Sequence, residues 1–232
     1  MDNPHGKVTT IEKVREFFVD GMTLMFGGFG GVGSPPTIID CILKKGVRDL
    51  TLIGNDTGFP HIGIGKLVSN ERAKKVIASH IGSNPVAGRL MTEGKLEVEF
   101  SPQGILAERI RAGGVGIPAI LSDIGMDNEL VAKNKPSFLL NGKNYLVETA
   151  LTANVSIVFA KKADTYGNVI YDKSARNTNP LVAMAGDLTI VEAEEIVPAG
   201  NLDPDEIVTP GVFVDYVVRS EGVSWKWAWE LN

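Results

Sequence analysis

A chain of 232 residues with 44 % hydrophobic and 22 % charged residues can bury the core of one large α/β domain and needs no division into two. A formal net charge of -5, with no basic run, excludes nucleic acid as the main partner, because phosphate binding needs clustered Lys and Arg. The single cysteine, Cys41, excludes an internal disulfide framework, and with His5, His61 and His80 at no metal-ligand spacing the expectation is no metal site.

In chain order, Met1 to Lys7 is polar, without the apolar core of a signal peptide. No apolar run approaches the ~20 residues of a membrane span, so a soluble cytoplasmic chain is expected. Thr9-Thr10-Ile11-Glu12 reads as a capping box, Thr9 reaching forward and Glu12 back. Ile11, Val14, Phe17 and Phe18 fall on one face of the helix it opens. A short apolar strand, Met22 to Phe26, then runs into Gly27-Gly28-Phe29-Gly30-Gly31-Val32-Gly33, where five glycines in seven residues admit positive φ and close approach of a ligand to the N–H groups. Pro35-Pro36 starts a helix carrying Ile38, Ile39, Ile42, Leu43 and a buried, structural Cys41, and Gly46 ends it. A glycine loop between a strand's carboxyl end and a helix N-terminus predicts an anion site.

Asp49 to Ile53 is a second strand, followed by the polar loop Gly54 to Gly58. Val76 to Ser79 is a third, turned by His80 to Pro85 towards a helix. Leu96 to Phe100 alternates as a fourth, and Ser101-Pro102-Gln103-Gly104 leads into a helix from Ile105 to Arg111 closed by Ala112-Gly113-Gly114. This repeated order predicts an α/β fold: an open, mainly parallel sheet with helices on both faces. Ser137 to Leu140 and Lys143 to Glu148 flank Asn141-Gly142, a hairpin signal that predicts a small antiparallel excursion. Val155 to Ala160 and Asp187 to Glu192 return as strands, while Glu194-Glu195 and Asp203 to Glu206 read as solvated faces or turns. With no break in composition, a single domain over 1–232 is expected, with 1–7 and about 220–232 as tails. Trp225, Trp227 and Trp229 alternate in that last tail, which suits an extended segment docked on another surface or on its own domain.

Two readings of the glycine loop remain open on residue pattern alone. Gly28-x-Gly30-x-x-Gly33, with Asp56 placed for a ribose, fits an NAD-dependent oxidoreductase. The wider stretch Asp20-Gly21-Met22-Thr23-Leu24-Met25-Phe26-Gly27-Gly28-Phe29-Gly30-Gly31-Val32-Gly33-Ser34-Pro35 resembles the signature of family I CoA-transferases without a departure. Asn55-Asp56-Thr57, Val76 to Gly82, Pro102-Gln103-Gly104, Ala107 to Gly114, Ser174-Ala175-Arg176-Asn177 and Ile207 to Gly211 resemble, in order, blocks of the α (A) subunit of acetate/acetoacetate (3-oxoacid) CoA-transferases.

The resemblance implies the CoA-transferase type of α/β/α fold and a reaction that moves CoA between carboxylic acids, with coenzyme A as substrate and no permanently bound cofactor. It implies a ping-pong mechanism in which a glutamate carries the CoA as a thioester. That glutamate belongs to a Ser-Glu-Asn-Gly type motif of a β subunit; the nearest match here, Ser220-Glu221-Gly222, lacks the Asn. Half an enzyme is therefore expected, completed by a β subunit in an α2β2 or higher heteromer. Carried over by position, Gly27, Gly28, Phe29, Gly30, Gly31, Val32 and Gly33 become a CoA-binding segment, and Gln103 a donor to the oxyanion, though it could equally cap the helix at Ile105. Asn55 and Ser79 become lining of the acyl pocket, and Arg176 a structural residue beneath the sheet or at a subunit interface. A non-catalytic CoA- or phosphosugar-sensing module is the third reading. No Gly-x-Ser-x-Gly elbow supports a hydrolase. The preferred acid among acetate, butyrate, acetoacetate and succinate is set by pocket shape and not by pattern.

Overall fold

The computed structural model describes residues 3–223; Trp225, Trp227 and Trp229 lie outside the described residues. Its first half is α1 (Ile11–Arg15), β1 (Thr23–Phe26), α2 (Pro36–Lys45), β2 (Leu50–Ile53), α3 (Gly65–Ser69), β3 (Ala73–Ala78), α4 (Pro85–Thr92), β4 (Glu97–Phe100) and α5 (Gln103–Gly114). An excursion follows, made of β5 (Ala119–Ser122), α6 (Glu129–Ala132), β6 (Ser137–Leu140) and β7 (Lys143–Thr149). The chain returns as β8 (Ala153–Asp164), β9 (Val169–Ile170), α7 (Asn179–Met184), β10 (Gly186–Val197) and β11 (Tyr216–Arg219).

The main sheet runs β11-β10-β8-β1-β2-β3-β4, every pair parallel, with β9 added antiparallel to β8. The chain therefore builds outward from β1 in both directions. Its order reverses between β1 and β8, and an open parallel sheet gathers ligands at the carboxyl ends of strands beside such a reversal. The excursion forms a separate antiparallel sheet, β5-β7-β6, closed by the Asn141-Gly142 turn.

Strand alternation divides the apolar residues between two cores. Leu24 and Phe26 of β1 face one side with Val14, Phe18, Ile38, Ile39, Ile42, Leu67 and Leu90, so α1 to α4 cover that face. Met25 faces the other with Leu106, Ile110 and Val182, so α5 and α7 cover the second. Each fully buried Leu, Ile or Phe contributes about 1.5–3 kcal/mol, which fixes which way β1 points and hence where its loop emerges.

Three local expectations are corrected. The first helix is capped by Thr10, whose hydroxyl accepts from Lys13 N, because Thr9 is held extended by its own N–H bond to Val217 O at 2.9 Å. The helix near Ile105 starts at Gln103 and includes Gly113 and Gly114. Those two glycines are not a stop: a Cβ would stand 2.0 Å from Leu151 O at the first and 2.7 Å from Met184 Cβ at the second. The returning strands β8 and β10 are also longer than their apolar runs, because Lys161 pairs with Glu194 at 2.5 Å and Lys162 with Glu195 at 3.1 Å across the ladder. Glu194 and Glu195 are thus solvated strand residues of β10, one of the two expected settings, and not in a turn.

Candidate functional site

The glycine loop leaves β1 at the reversal point. Gly27 N donates to Ile157 O at 3.0 Å, one rung past the strand, and Phe29 and Val32 then exchange N–H bonds at 2.9 and 3.1 Å. Gly30 and Gly31 are the two turn residues of this miniature hairpin, at φ 58° and 104°, a pairing open to glycine and strained for other residues. Two asparagines brace it from beneath. Asn177 Oδ1 accepts from Gly28 N at 3.0 Å while its Nδ2 donates to Val32 O at 3.0 Å, and Asn179 Nδ2 donates to Gly33 O at 2.9 Å. In the Ser174-Ala175-Arg176-Asn177 block this bracing comes from Asn177; Arg176 is exposed and not seated beneath the sheet, which corrects that one of its two expected settings.

The N–H groups of Gly27, Gly28, Phe29, Gly30, Val32 and Ser34 donate to acceptors within the protein. Those of Gly31 and Gly33 have no acceptor among the described residues. The expected anion at the start of the next helix is also internal. Glu192, fully buried on β10, accepts from Ile38 N at 3.0 Å and Thr37 Oγ1 at 2.7 Å, filling the N-terminus of α2. Ser220 Oγ adds a third bond to it at 2.6 Å, and burial raises the Glu192 carboxyl above the usual range. The helix dipole faces a side chain and not solvent, which removes the anion site that strand, glycines and helix order suggested.

A second hairpin of the same design stands beside the first. After β2, Gly58 (φ 61°) and Gly63 (φ 57°) bracket Phe59 to Ile62, with Ile62 N donating to Phe59 O at 3.1 Å. The two touch closely: a Cβ on Gly31 would be 2.5 Å from Ile62 Cγ2. The sequence carries this echo as Gly28-Phe29-x-x-Val32-Gly33 and Gly58-Phe59-x-x-Ile62-Gly63, a signal that the motif reading passed over.

Between the hairpins and the ends of β1 to β4 lies a cleft of about 400 Å³ lined by Phe29, Gly30, Asn55, Asp56, Phe59, Ser79, His80, Ser83 and Gln103. Gln103, Asn55 and Ser79, singled out in sequence from three different strand ends, are brought together in it. Gln103 Nε2 donates to Asn55 Oδ1 at 2.8 Å, so the side chain does not cap its own helix. Ser79 Oγ donates to Asn55 O at 2.7 Å, and Asn55 Nδ2 to Asp56 Oδ2 at 2.8 Å. Asp56 is buried, its oxygens also accepting from Gly30 N at 2.8 Å and Gly58 N at 2.7 Å. A carboxylate so engaged does not present itself to a ribose, which removes the support for the NAD reading. Phe59, His80 and Ser83 complete the lining and were not singled out as site residues.

A second cleft, about 530 Å³, lies under the small sheet. Most of its charged side chains pair with one another: Arg109 Nη1 with Glu99 Oε1 at 3.0 Å, Lys135 Nζ with Glu148 Oε1 at 2.8 Å, and Lys75 with both Glu97 and Glu99 at 3.0 and 3.1 Å. None of the residues expected at the site lines it. Glu221 lines a third, of about 180 Å³, with Thr37 and Cys41 against α1 and α2, and is apart from Gln103. Burial raises the Cys41 thiol, as suits a structural residue. Among the described residues no grouping of His, Cys, Asp and Glu could hold a metal ion, and no helix is long and apolar enough to cross a membrane.

Residues 7–220 match the family model described as Coenzyme A transferase. The chain is similar to a probable coenzyme A transferase subunit alpha of Bacillus subtilis, 60 % identical over 98 % of this chain and 99 % of that one. It is 47 % identical to the acetate CoA-transferase subunit alpha of Escherichia coli, over 93 % of this chain and 97 % of the relative. In fold it resembles the crystal structure of an acyl-CoA transferase from Escherichia coli O157:H7 in a thioester complex with CoA, with a TM-score of 0.87 at 22 % identity. That likeness covers 98 % of this chain and 50 % of the other, so the chain spans half the length of that enzyme.

Proposed function

We infer the function from one premise: this chain belongs to the coenzyme A transferase family, as an alpha subunit. Paired with a β subunit in an α2β2 or higher heteromer, it moves CoA from an acyl-CoA to a carboxylic acid. A glutamate of the β subunit attacks the thioester carbonyl, the tetrahedral oxyanion collapses with loss of CoA thiolate, and an acyl-glutamyl anhydride remains. The thiolate then attacks the glutamyl carbonyl, releasing the first acid and leaving a glutamyl-CoA thioester that the acceptor acid opens by the reverse steps.

One observation supports this division of labour most directly. The cleft offers amide and hydroxyl groups from Gln103, Asn55, Ser79 and Ser83, but its one carboxylate among the described residues, Asp56, already accepts bonds from Gly30, Gly58 and Asn55. The nucleophile then has to come from outside this cleft. Gln103 Nε2 carries two N–H groups; one is held by Asn55, and the other serves the oxyanion. The hairpin edge at Phe29 to Val32 borders the path of the CoA arm, and Phe59 gives the acyl group of a short acid such as acetate, butyrate or acetoacetate an apolar wall.

CoA exchange between acetoacetyl-CoA and acetate tests this, for the chain alone and co-purified with its β subunit. Activity in the pair and none in the chain alone is expected. Activity in the chain alone would overturn the shared site and return attention to Glu221; CoA binding by the chain alone, with no exchange in the pair, would favour the sensing module.

A further inference from the structure

We propose that Asp56 is a positioning residue for the oxyanion donor: it sets, through Asn55, which end of the Gln103 amide faces the cleft. The proposal rests on the assignment of Gln103 as that donor. A carboxylate that takes three N–H bonds, from Gly30 at 2.8 Å, Gly58 at 2.7 Å and Asn55 Nδ2 at 2.8 Å, can only accept. It therefore fixes Asn55 with its NH2 towards Asp56 and its oxygen towards Gln103 and the Ser79 hydroxyl, which stands 3.3 Å away. An oxygen at that point admits only a donor, so Gln103 has to present Nε2, at 2.8 Å. The second N–H on that nitrogen keeps the same end of the amide available to the cleft.

The alternative rotamer shows what the arrangement prevents. Gln103 is exposed at the first position of α5 and makes no bond to its own helix end. Unconstrained, its amide could turn by half a rotation and present its oxygen to a developing oxyanion, which would raise the barrier instead of lowering it. Asp56 draws its own orientation from N–H groups of both hairpins, so the donor is tied to the loops that border the substrate. Asp56 is thereby absent from the chemistry yet coupled to it.

A double-mutant cycle on kcat in the α–β complex tests the relay. Asp56→Asn, whose side chain can donate as well as accept, is expected to lower kcat about 10-fold to 100-fold with KM changed by less than about 3-fold. In a Gln103→Ala background the same substitution is expected to have no further effect on kcat. Asn55→Ala, which leaves the bonds from Gly30 and Gly58 to Asp56 in place, is expected to behave the same way and covers the case in which Asp56→Asn fails to fold. Equal losses in both backgrounds, or none in the wild-type background, would overturn the relay. If Gln103→Ala alone leaves kcat intact, the oxyanion assignment fails; the orientation is then read independently from the side-chain amide resonances of 15N-glutamine-labelled α subunit in the complex. A Gln103 NH2 signal displaced by hydrogen bonding in the wild type and collapsed in Asp56→Asn supports the relay, and an unchanged signal overturns it.

Discussion

Gln103 Nε2 donates to Asn55 Oδ1 across 2.8 Å, joining the first residue of α5 to the loop after β2. The bond takes one of the two amide hydrogens and leaves the other beside the cleft. Gln103→Ala is expected to lower kcat about 100-fold to 1,000-fold, the usual effect of losing one oxyanion donor. Because the side chain is exposed and makes no cap, the melting curve is expected to move by no more than about 0.5 kcal/mol. Steady-state CoA exchange together with urea unfolding checks both halves; a loss of stability matching the loss of rate would show that Gln103 holds the fold and not the oxyanion.

The glycine loop is a packing device before it is anything else. A Cβ on Gly27 would lie 1.7 Å from Asn179 Oδ1, the oxygen that accepts from Phe159 N at 3.1 Å. Gly27→Ala is expected to destabilise by about 3 kcal/mol or more, since neither the buried amide nor the strand can move aside. Gly46→Ala is the control: it has φ 82° at the end of α2 but nothing within 4 Å of an added Cβ. It should lose only about 1–2 kcal/mol, the cost of a left-handed backbone for alanine. Equal midpoints for the two variants in urea would contradict this account.

What could be read from the sequence and what could not follows from range. The apolar run of β1 and the Pro35-Pro36 start of α2 are local signals, and they placed the strand and the helix correctly. The strand ends carrying Asn55, Ser79 and Gln103 followed from the same order, because parallel strands bring their carboxyl ends to one edge. The bracing of Gly28 by Asn177, 149 residues away in sequence, leaves no local trace. Nor does the buried cap on α2: Glu192 is followed in β10 by Ala193, Glu194 and Glu195, and nothing in that acidic run marks this carboxylate as the one turned into the core. The second hairpin was legible, since Gly58-Phe59 and Ile62-Gly63 repeat the spacing of the first.

Glu192 makes stability depend on pH. Burial raises its carboxyl above the ordinary range, and the bonds from Ser220, Thr37 and Ile38 offset only part of this. The folded chain thus holds the proton more tightly than the unfolded one. Its contribution is complete below the unfolded carboxylate pKa, about 4.3, and is lost as pH rises through the raised folded value. Glu192→Gln keeps an oxygen for Ile38 N and turns an NH2 to the Thr37 and Ser220 hydroxyls, both able to accept. Its difference from the wild type in urea unfolding is expected to grow in its favour from pH 4 to pH 8. Glu192→Ala leaves Ile38 N unpaired beside a cavity, and should cost about 2–4 kcal/mol at pH 4 and less as pH rises, since alanine does not titrate either. A stability difference between the wild type and Glu192→Gln that stays constant with pH would show that the carboxyl titrates at its ordinary value.

Acid length is where the two phenylalanines separate. Phe59 lines the cleft from the second hairpin, near Ser79, His80 and Ser83, while Phe29, 51 % exposed, stands on the first hairpin, where the CoA arm is proposed to pass. Phe59→Ala widens a space of about 400 Å³ without touching the bond between Gln103 and Asn55. The ratio of kcat/KM for hexanoate over acetate is therefore expected to rise about 10-fold to 200-fold, the range that a methylene or two commands in an apolar pocket. Phe29→Ala should instead raise KM for the acyl-CoA and leave that ratio alone. Acid competition assays on the two variants of the α–β complex measure both. If the ratio moves in Phe29→Ala and not in Phe59→Ala, the acyl group lies along the first hairpin and the CoA arm passes the second, which would exchange the roles of the two loops while keeping Gln103 between them.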